Sequence, residues 1–220
     1  MLRKLIPAAI LFAACNNNGT VNLTFEIANA NERTVTLKDA GDLVDGTTTF
    51  EVANHILMLD AITIGGENIL EAQTPVRFDD AATVTISKEV AAGDFDEFSI
   101  TIGIADAVGA EAAGEPNILD RSTHNEGEFD SDGDGIVDSG IVVYAPFNVN
   151  NDLTFTKTFT VEKGGETNLK LQLDLQTLLG DVDVALAEEV EGEFAITEDN
   201  ATDQSPIVDG AIVDALTLVD

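Results

Sequence analysis

The 220-residue chain has no tryptophan, one tyrosine and one cysteine, and only 10 lysines and arginines against 41 aspartates and glutamates. Each shortage closes off a class of function. A formal charge of −31 repels phosphate backbones, so nucleic acid is excluded as a partner recognised by charge. A single cysteine excludes an intrachain disulfide framework and any site built from several thiolates. Long hydrophobic runs are also missing, apart from a short one at the start. What is abundant is apolar residues, 44% of the chain, enough to build a core and to exclude global disorder.

The first fourteen residues read MLRKLIPAAILFAA. Arg3 and Lys4 form a charged region, and Leu5 to Ala14 an apolar one. That run is well short of the ~20 residues needed to span a bilayer, and it has the length of a secretory signal. Phe12-Ala13-Ala14-Cys15 resembles the bacterial lipobox, whose cysteine is acylated after cleavage; the pattern prefers Leu where Phe12 stands. The resemblance implies a signal peptide over 1–14, a lipidated Cys15 and a polar tether over 15–20. It places the protein in the bacterial cell envelope, as an outer-membrane or cell-surface lipoprotein facing periplasm or exterior. Acyl chains contribute ~0.8 kcal/mol per buried CH₂, while the acidic body stays clear of anionic head groups.

Residues 21–220 read as one domain. Val21, Leu23, Phe25 and Ile27 alternate with polar residues, the mark of a half-buried strand. Shorter candidates lie at Thr34 to Leu37, Phe50 to Val52, Val76 to Phe78 and Thr83 to Val90. His55 to Ile64 is apolar enough for a central strand and ends at Gly65-Gly66. A turn at Gly93-Asp94 introduces the clean alternation of Phe98, Ile100, Ile102 and Ile104. Ala105 to Gly140 is rich in Gly, Asp and Glu and predicts a long acidic loop. Strands resume at Ile141 to Ala145, and Phe155 to Val161 with Leu169 to Leu175 reads as a hairpin about Lys163-Gly164-Gly165-Glu166. Toward the C-terminus, Gln176 to Leu179 predicts a helical turn stopped by Gly180, Val182 to Val190 a weak helix, and Asp199 to Pro206 a polar loop. Ile207, Ala211, Ala215 and Leu218 fall near one face of a final short helix, or form a last strand. The sum is an all-β, antiparallel β-sandwich with a long acidic loop at about 105–140 and short C-terminal helical elements.

One run carries chemistry. Residues 130–138 place carboxylates at Asp130, Asp132, Asp134 and Asp138, with Gly135 to turn the chain and the Ile136 carbonyl as a further oxygen. Calcium takes six to eight hard oxygens from a chain folded round it, and alternate acids can converge on one ion. The run resembles the calcium loops of EF-hands, dockerins and thrombospondin type 3 repeats. The EF-hand places a Glu at the twelfth position, which here is Ile141. The likeness to the thrombospondin loop is therefore closer, with Asp138 as terminal ligand. Asp120, Glu126 and Glu128 are further oxygen donors within reach along the chain.

Catalysis has little to stand on. No nucleophile elbow, HExxH, P-loop or dinucleotide fingerprint is present, and the chain reads as a non-enzyme. His55, at the head of an apolar strand, predicts a hydrogen-bonded edge residue; His124, near Glu126 in the acidic loop, predicts an exposed side chain or a transition-metal ligand.

The stretch from Ala91 to Ile104, AAGDFDEFSITIGI, resembles a turn-and-strand segment of bacterial lipoprotein sandwiches, among them the methanobactin-associated copper-binding (MbnP-like) proteins. The strands at Val21 to Ile27 and Leu169 to Leu179 are similar too. The resemblance implies an immunoglobulin-like sandwich. It does not extend to the copper site, which in those proteins uses Trp and His. The leading expectation is a lipid-anchored sandwich with a calcium-stabilised loop, acting in ligand binding, adhesion or envelope structure on a protein or polysaccharide ligand. A copper-handling lipoprotein and a fimbrial or stalk subunit polymerising by strand exchange are the alternatives.

Overall fold

A computed structural model describes residues 17–28, 33–37, 48–79, 83–130, 138–182, 188–190, 193–195 and 198–219. Residues 1–14, expected as a signal peptide, Cys15, and the expected calcium ligands Asp132, Asp134 and Ile136 lie outside them. In chain order the strands begin with β1 (Asn18–Ile27), β2 (Thr34–Leu37), β3 (Thr48–Ile64), β4 (Glu67–Asn68), β5 (Thr74–Phe78), β6 (Thr83–Ala91) and β7 (Gly93–Ile102). Helix α1 (Ala107–Ala113) and a 3-10 turn (Pro116–Ile118) precede β8 (Thr123–Phe129), β9 (Asp138–Phe147), β10 (Asp152–Val161) and β11 (Glu166–Leu173). The chain continues through α2 (Leu175–Leu179), β12 (Glu188–Val190), β13 (Glu193–Ala195), α3 (Glu198–Ala215) and β14 (Leu216–Val219).

Two sheets share one core. The smaller runs β14-β11-β1-β6; the larger runs β10-β7-β3-β8-β9-β13-β12, with β2, β4 and β5 on the other edge of β3. This is the all-β sandwich that the alternating pattern predicts. Val21, Leu23, Phe25 and Ile27 of β1 are buried with Leu169, Leu171 and Leu173 of β11, and they meet Leu57, Leu59, Ile62, Phe98 and Ile100 of the larger sheet. Most neighbours are antiparallel, but β1 runs parallel to β11 and β13 parallel to β9.

Several local expectations are corrected. The stretch 105–140 is not one loop: it holds α1, the 3-10 turn and all of β8, which pairs β3 on one side and β9 on the other. Strands β10 and β11 do not form a hairpin. The Lys163-Gly164 turn carries the chain from one sheet to the other, β10 pairing β7 and β11 pairing β1. Gly93 and Asp94 open β7 rather than forming the turn before it. Asp199 to Pro206 belongs to the 18-residue α3, which is not a short element, and Glu188–Val190 is a strand rather than helix. Both C-terminal alternatives are realised in succession, since α3 buries Val208, Ile212 and Ala215 and leads directly into β14. Helix α2 ends at Gly180 as its sequence predicts.

Strand β3 matters most for the site. Between its two register shifts, from Asn54 to Leu59, alternate residues face different surroundings, as pleating requires. Leu57 and Leu59 enter the inter-sheet core, whereas Ile56 and Met58 pack in a second apolar cluster with Ala105, Ala110, Ala113 and Ile118. That second cluster is the underside of the α1 connector.

Candidate metal sites

The connector is held on the outer face of the large sheet by specific hydrogen bonds. Asp106 caps α1, accepting from the Val108 and Gly109 amides. Gln73 donates to the Ile104 carbonyl at 2.8 Å and accepts from the Asp106 amide at 2.9 Å. Arg77 Nη1 donates to the Ala113 carbonyl at 2.9 Å. Gly114 ends the helix in a left-handed conformation, φ 66°, which glycine adopts without steric cost. The next residue is Glu115, so the helix cap sets where its carboxylate enters.

Beneath it, β8 reads Thr-His-Asn-Glu-Gly-Glu-Phe. Register pairs His124 with Ile56 and Glu126 with Asn54. Cross-strand partners share a face, so His124 and Glu126 lie on the α1 side with Ile56 and Met58. Glu115, His124 and Glu126 converge there: each offers a ligand-type atom, and these lie within 4.8 Å of one another. The imidazole is fully buried and the two carboxylates are half-buried. Burial pushes the His124 pKa down, the charges of Glu115 and Glu126 push it back up, and Arg77 adds to the downward side. Asn54 is buried on the same face, and neither its amide nitrogen nor its oxygen has a hydrogen-bond partner among the described residues.

His55 faces the other way, into the main core. It is neither at a sheet edge nor at the head of its strand, because β5 and β8 pair it from both sides through Phe78 and Asn125. Its ring stacks on Phe78 at 6.0 Å, and Nδ1 and Asn125 Oδ1 stand 2.7 Å apart. Nε2 is buried with no hydrogen-bond partner among the described residues. Removing Asn125 Oδ1 leaves the second ring nitrogen unsatisfied as well. We expect Asn125→Leu to lower stability by about 2 kcal/mol, measured as a displacement of the urea midpoint, without altering any binding on the α1 face.

The predicted calcium run occupies the connection between two paired strands. Phe129 at the end of β8 faces Asp138 at the start of β9. Asp130 is fully buried, its amide donating to the Thr49 carbonyl at 3.0 Å. Asp120 stands before the opposite end of β8, roughly 23 Å of strand away at ~3.3 Å per residue, so it is no candidate to join that loop. Glu126 belongs to the His124 cluster instead. The two histidines, expected at an edge and on an exposed loop, are both fully buried.

Sequence reasoning missed Glu115 and Asn54. Nothing in their local sequence links them to His124; the link is the cap of α1 and the register of β3 on β8. A signal did exist for the pair His124 and Glu126, whose two-residue spacing places both on one face once β8 is known to be a strand.

Compared with protein-family models, curated proteins and solved structures, the chain matches none of them.

Proposed function

We propose that this is a lipid-anchored, non-enzymatic protein of the bacterial cell envelope, whose β8–β9 connection is ordered by calcium and whose sandwich presents that loop to a protein or polysaccharide ligand. The observation that carries the reading is the placement of the acidic run. Its first carboxylate, Asp130, is fully buried at the end of one strand, and its last, Asp138, opens the neighbouring strand directly opposite Phe129. A run that starts and ends on paired strands has its ends held together, which favours wrapping an ion. Loops on a rigid sheet scaffold are also where binding surfaces concentrate.

Calcium should bind with a Kd of about 10⁻⁴–10⁻³ M, the range of extracellular modules. Isothermal titration of the protein is expected to show this binding, and Asp132→Ala/Asp134→Ala to remove it. Chelation should then open the β8–β9 connection to protease. A protein that takes up no heat and keeps one cleavage pattern with and without chelator would leave the run as a solvated acidic turn.

A further inference from the structure

We infer that Glu115, His124 and Glu126 form a second metal site, distinct from the acidic loop, which takes a divalent first-row transition ion of the zinc class and pins the α1 connector to the outer face of the large sheet. The donor set decides the kind of ion. An imidazole nitrogen with carboxylate oxygens suits zinc and its neighbours, whereas calcium is bound by oxygens alone. Geometry supports it. Ligand atoms at ~2.0–2.2 Å from a tetrahedral ion stand about 3.3–3.6 Å apart. The three here already lie within 4.8 Å of one another, so closure needs a shift of about 1 Å, which rotation of the two half-buried glutamate side chains covers.

Three features separate this cluster from a chance patch of acids. Its histidine is fully buried near the start of a strand paired on both sides. Its carboxylates come from different elements, Glu126 from β8 and Glu115 from the residue after the α1 cap, so an ion adds a further tie between the connector and the sheet. Asn54 lies directly opposite Glu126, 6% exposed, with both amide atoms lacking a hydrogen-bond partner among the described residues. A buried amide in that condition calls for something the protein itself does not supply. An ion, or a water held on one, answers that need.

Charge agrees. Two carboxylates and a neutral imidazole balance one divalent cation, leaving no net charge at a partly buried place. Arg77, the cation on that face, is engaged elsewhere: Nη1 with the Ala113 carbonyl at 2.9 Å and Nε with Asp79 at 3.4 Å.

The test is a zinc titration of the full chain, followed by calorimetry and by melting temperature. One equivalent is expected to bind and to raise the melting temperature, because an ion that binds only the folded state stabilises it. Millimolar calcium should not displace it. His124→Asn and Glu126→Gln should weaken binding by more than about 100-fold, and Asn54→Leu, a positioning change, by roughly 10–100-fold. Asp132→Ala/Asp134→Ala should leave zinc affinity unchanged, which separates this site from the calcium loop. If His124→Asn does not fold, Glu115→Gln on the half-buried connector serves in its place, with the same loss expected. Zinc that fails to bind, that binds equally well to the Glu115 and Glu126 variants, or that is lost with Asp132 and Asp134 overturns the inference and leaves the trio as an ion-paired strap.

Discussion

Gly127→Ala is expected to destabilise the protein by about 3 kcal/mol, the upper end for forcing atoms into packed space. Gly127 lies in β8 opposite Val52. A methyl group there drives into the Glu51 carbonyl, well inside van der Waals contact, and comes to 2.8 Å from the Phe50 ring. The carbonyl belongs to backbone and cannot swing aside, so β8 must move away from β3. The consequence reaches beyond stability. His124 and Glu126 ride on the same strand, and their approach to Glu115 depends on where β8 sits. Urea denaturation should therefore show a lowered midpoint, and the zinc affinity of the folded fraction should fall with it. Gly210→Ala is the control. In α3 a methyl at that position meets nothing within 4 Å, and a helix gains up to ~1 kcal/mol from the change. Equal losses in both variants would refute the packing argument.

Stability should fall as the solution is acidified from about pH 6.5 to about pH 4, and His55→Phe should remove the share of that slope that belongs to His55, leaving that of buried His124 and of the carboxylates. Burial lowers the His55 pKa to about 4 from an ordinary 6.5; the hydrogen bond with Asn125 opposes the change, and the charges of His124 and Arg33 add to it. In that interval the unfolded chain binds a proton that the folded chain refuses. The contribution of neutral His55 is complete above about pH 6.5. It drains away as pH drops toward 4 and is gone below it. Each pH unit across that interval is worth ~1.4 kcal/mol, so the full loss is on the order of 3 kcal/mol. Phenylalanine keeps an aromatic ring against Phe78 and has no proton to gain. Chemical denaturation at half-unit pH steps measures the difference between the two proteins. Parallel curves would show that His55 is not the group responsible. Carboxylate protonation acts in both proteins and cancels in the comparison.

The sandwich was legible where one face of a strand is apolar and the other polar. β1 announces itself through Val21, Leu23, Phe25 and Ile27, and β3 through its apolar run from Ile56 to Leu59. β8 carries no such signal. Its residues turned toward the core are Thr123, Asn125 and Gly127, and those on the other face include His124 and Glu126, so hydrophobic periodicity has nothing to detect. A polar strand at the heart of a sheet is set by its neighbours. The same holds for the first turns of α3, where Asp199 to Ser205 is polar apart from Ala201 and Pro206 follows within the helix. The turn at Lys163-Gly164 was legible as a turn, but not its destination. A two-glycine corner reads alike whether the next strand returns beside its predecessor or crosses to the opposite sheet.

The position of β1 gives the smaller sheet a mechanical character. The strand begins at Asn18 and lies between β6 and β11. It is laddered to β6 from Asn18 to Glu26 and to β11 from Thr20 to Ile27. If the protein is held at its N-terminal end, as proposed, a pull on the tether runs along the axis of β1. Both ladders are then loaded lengthwise, and their hydrogen bonds must yield together rather than one after another. β14, laddered only to β11 over four residues at the sheet edge, would peel under far less force. An attachment there would fall on the strand of this sheet best suited to bear load, and drag on the body in flowing medium would pass to the core before the β14 edge gave way.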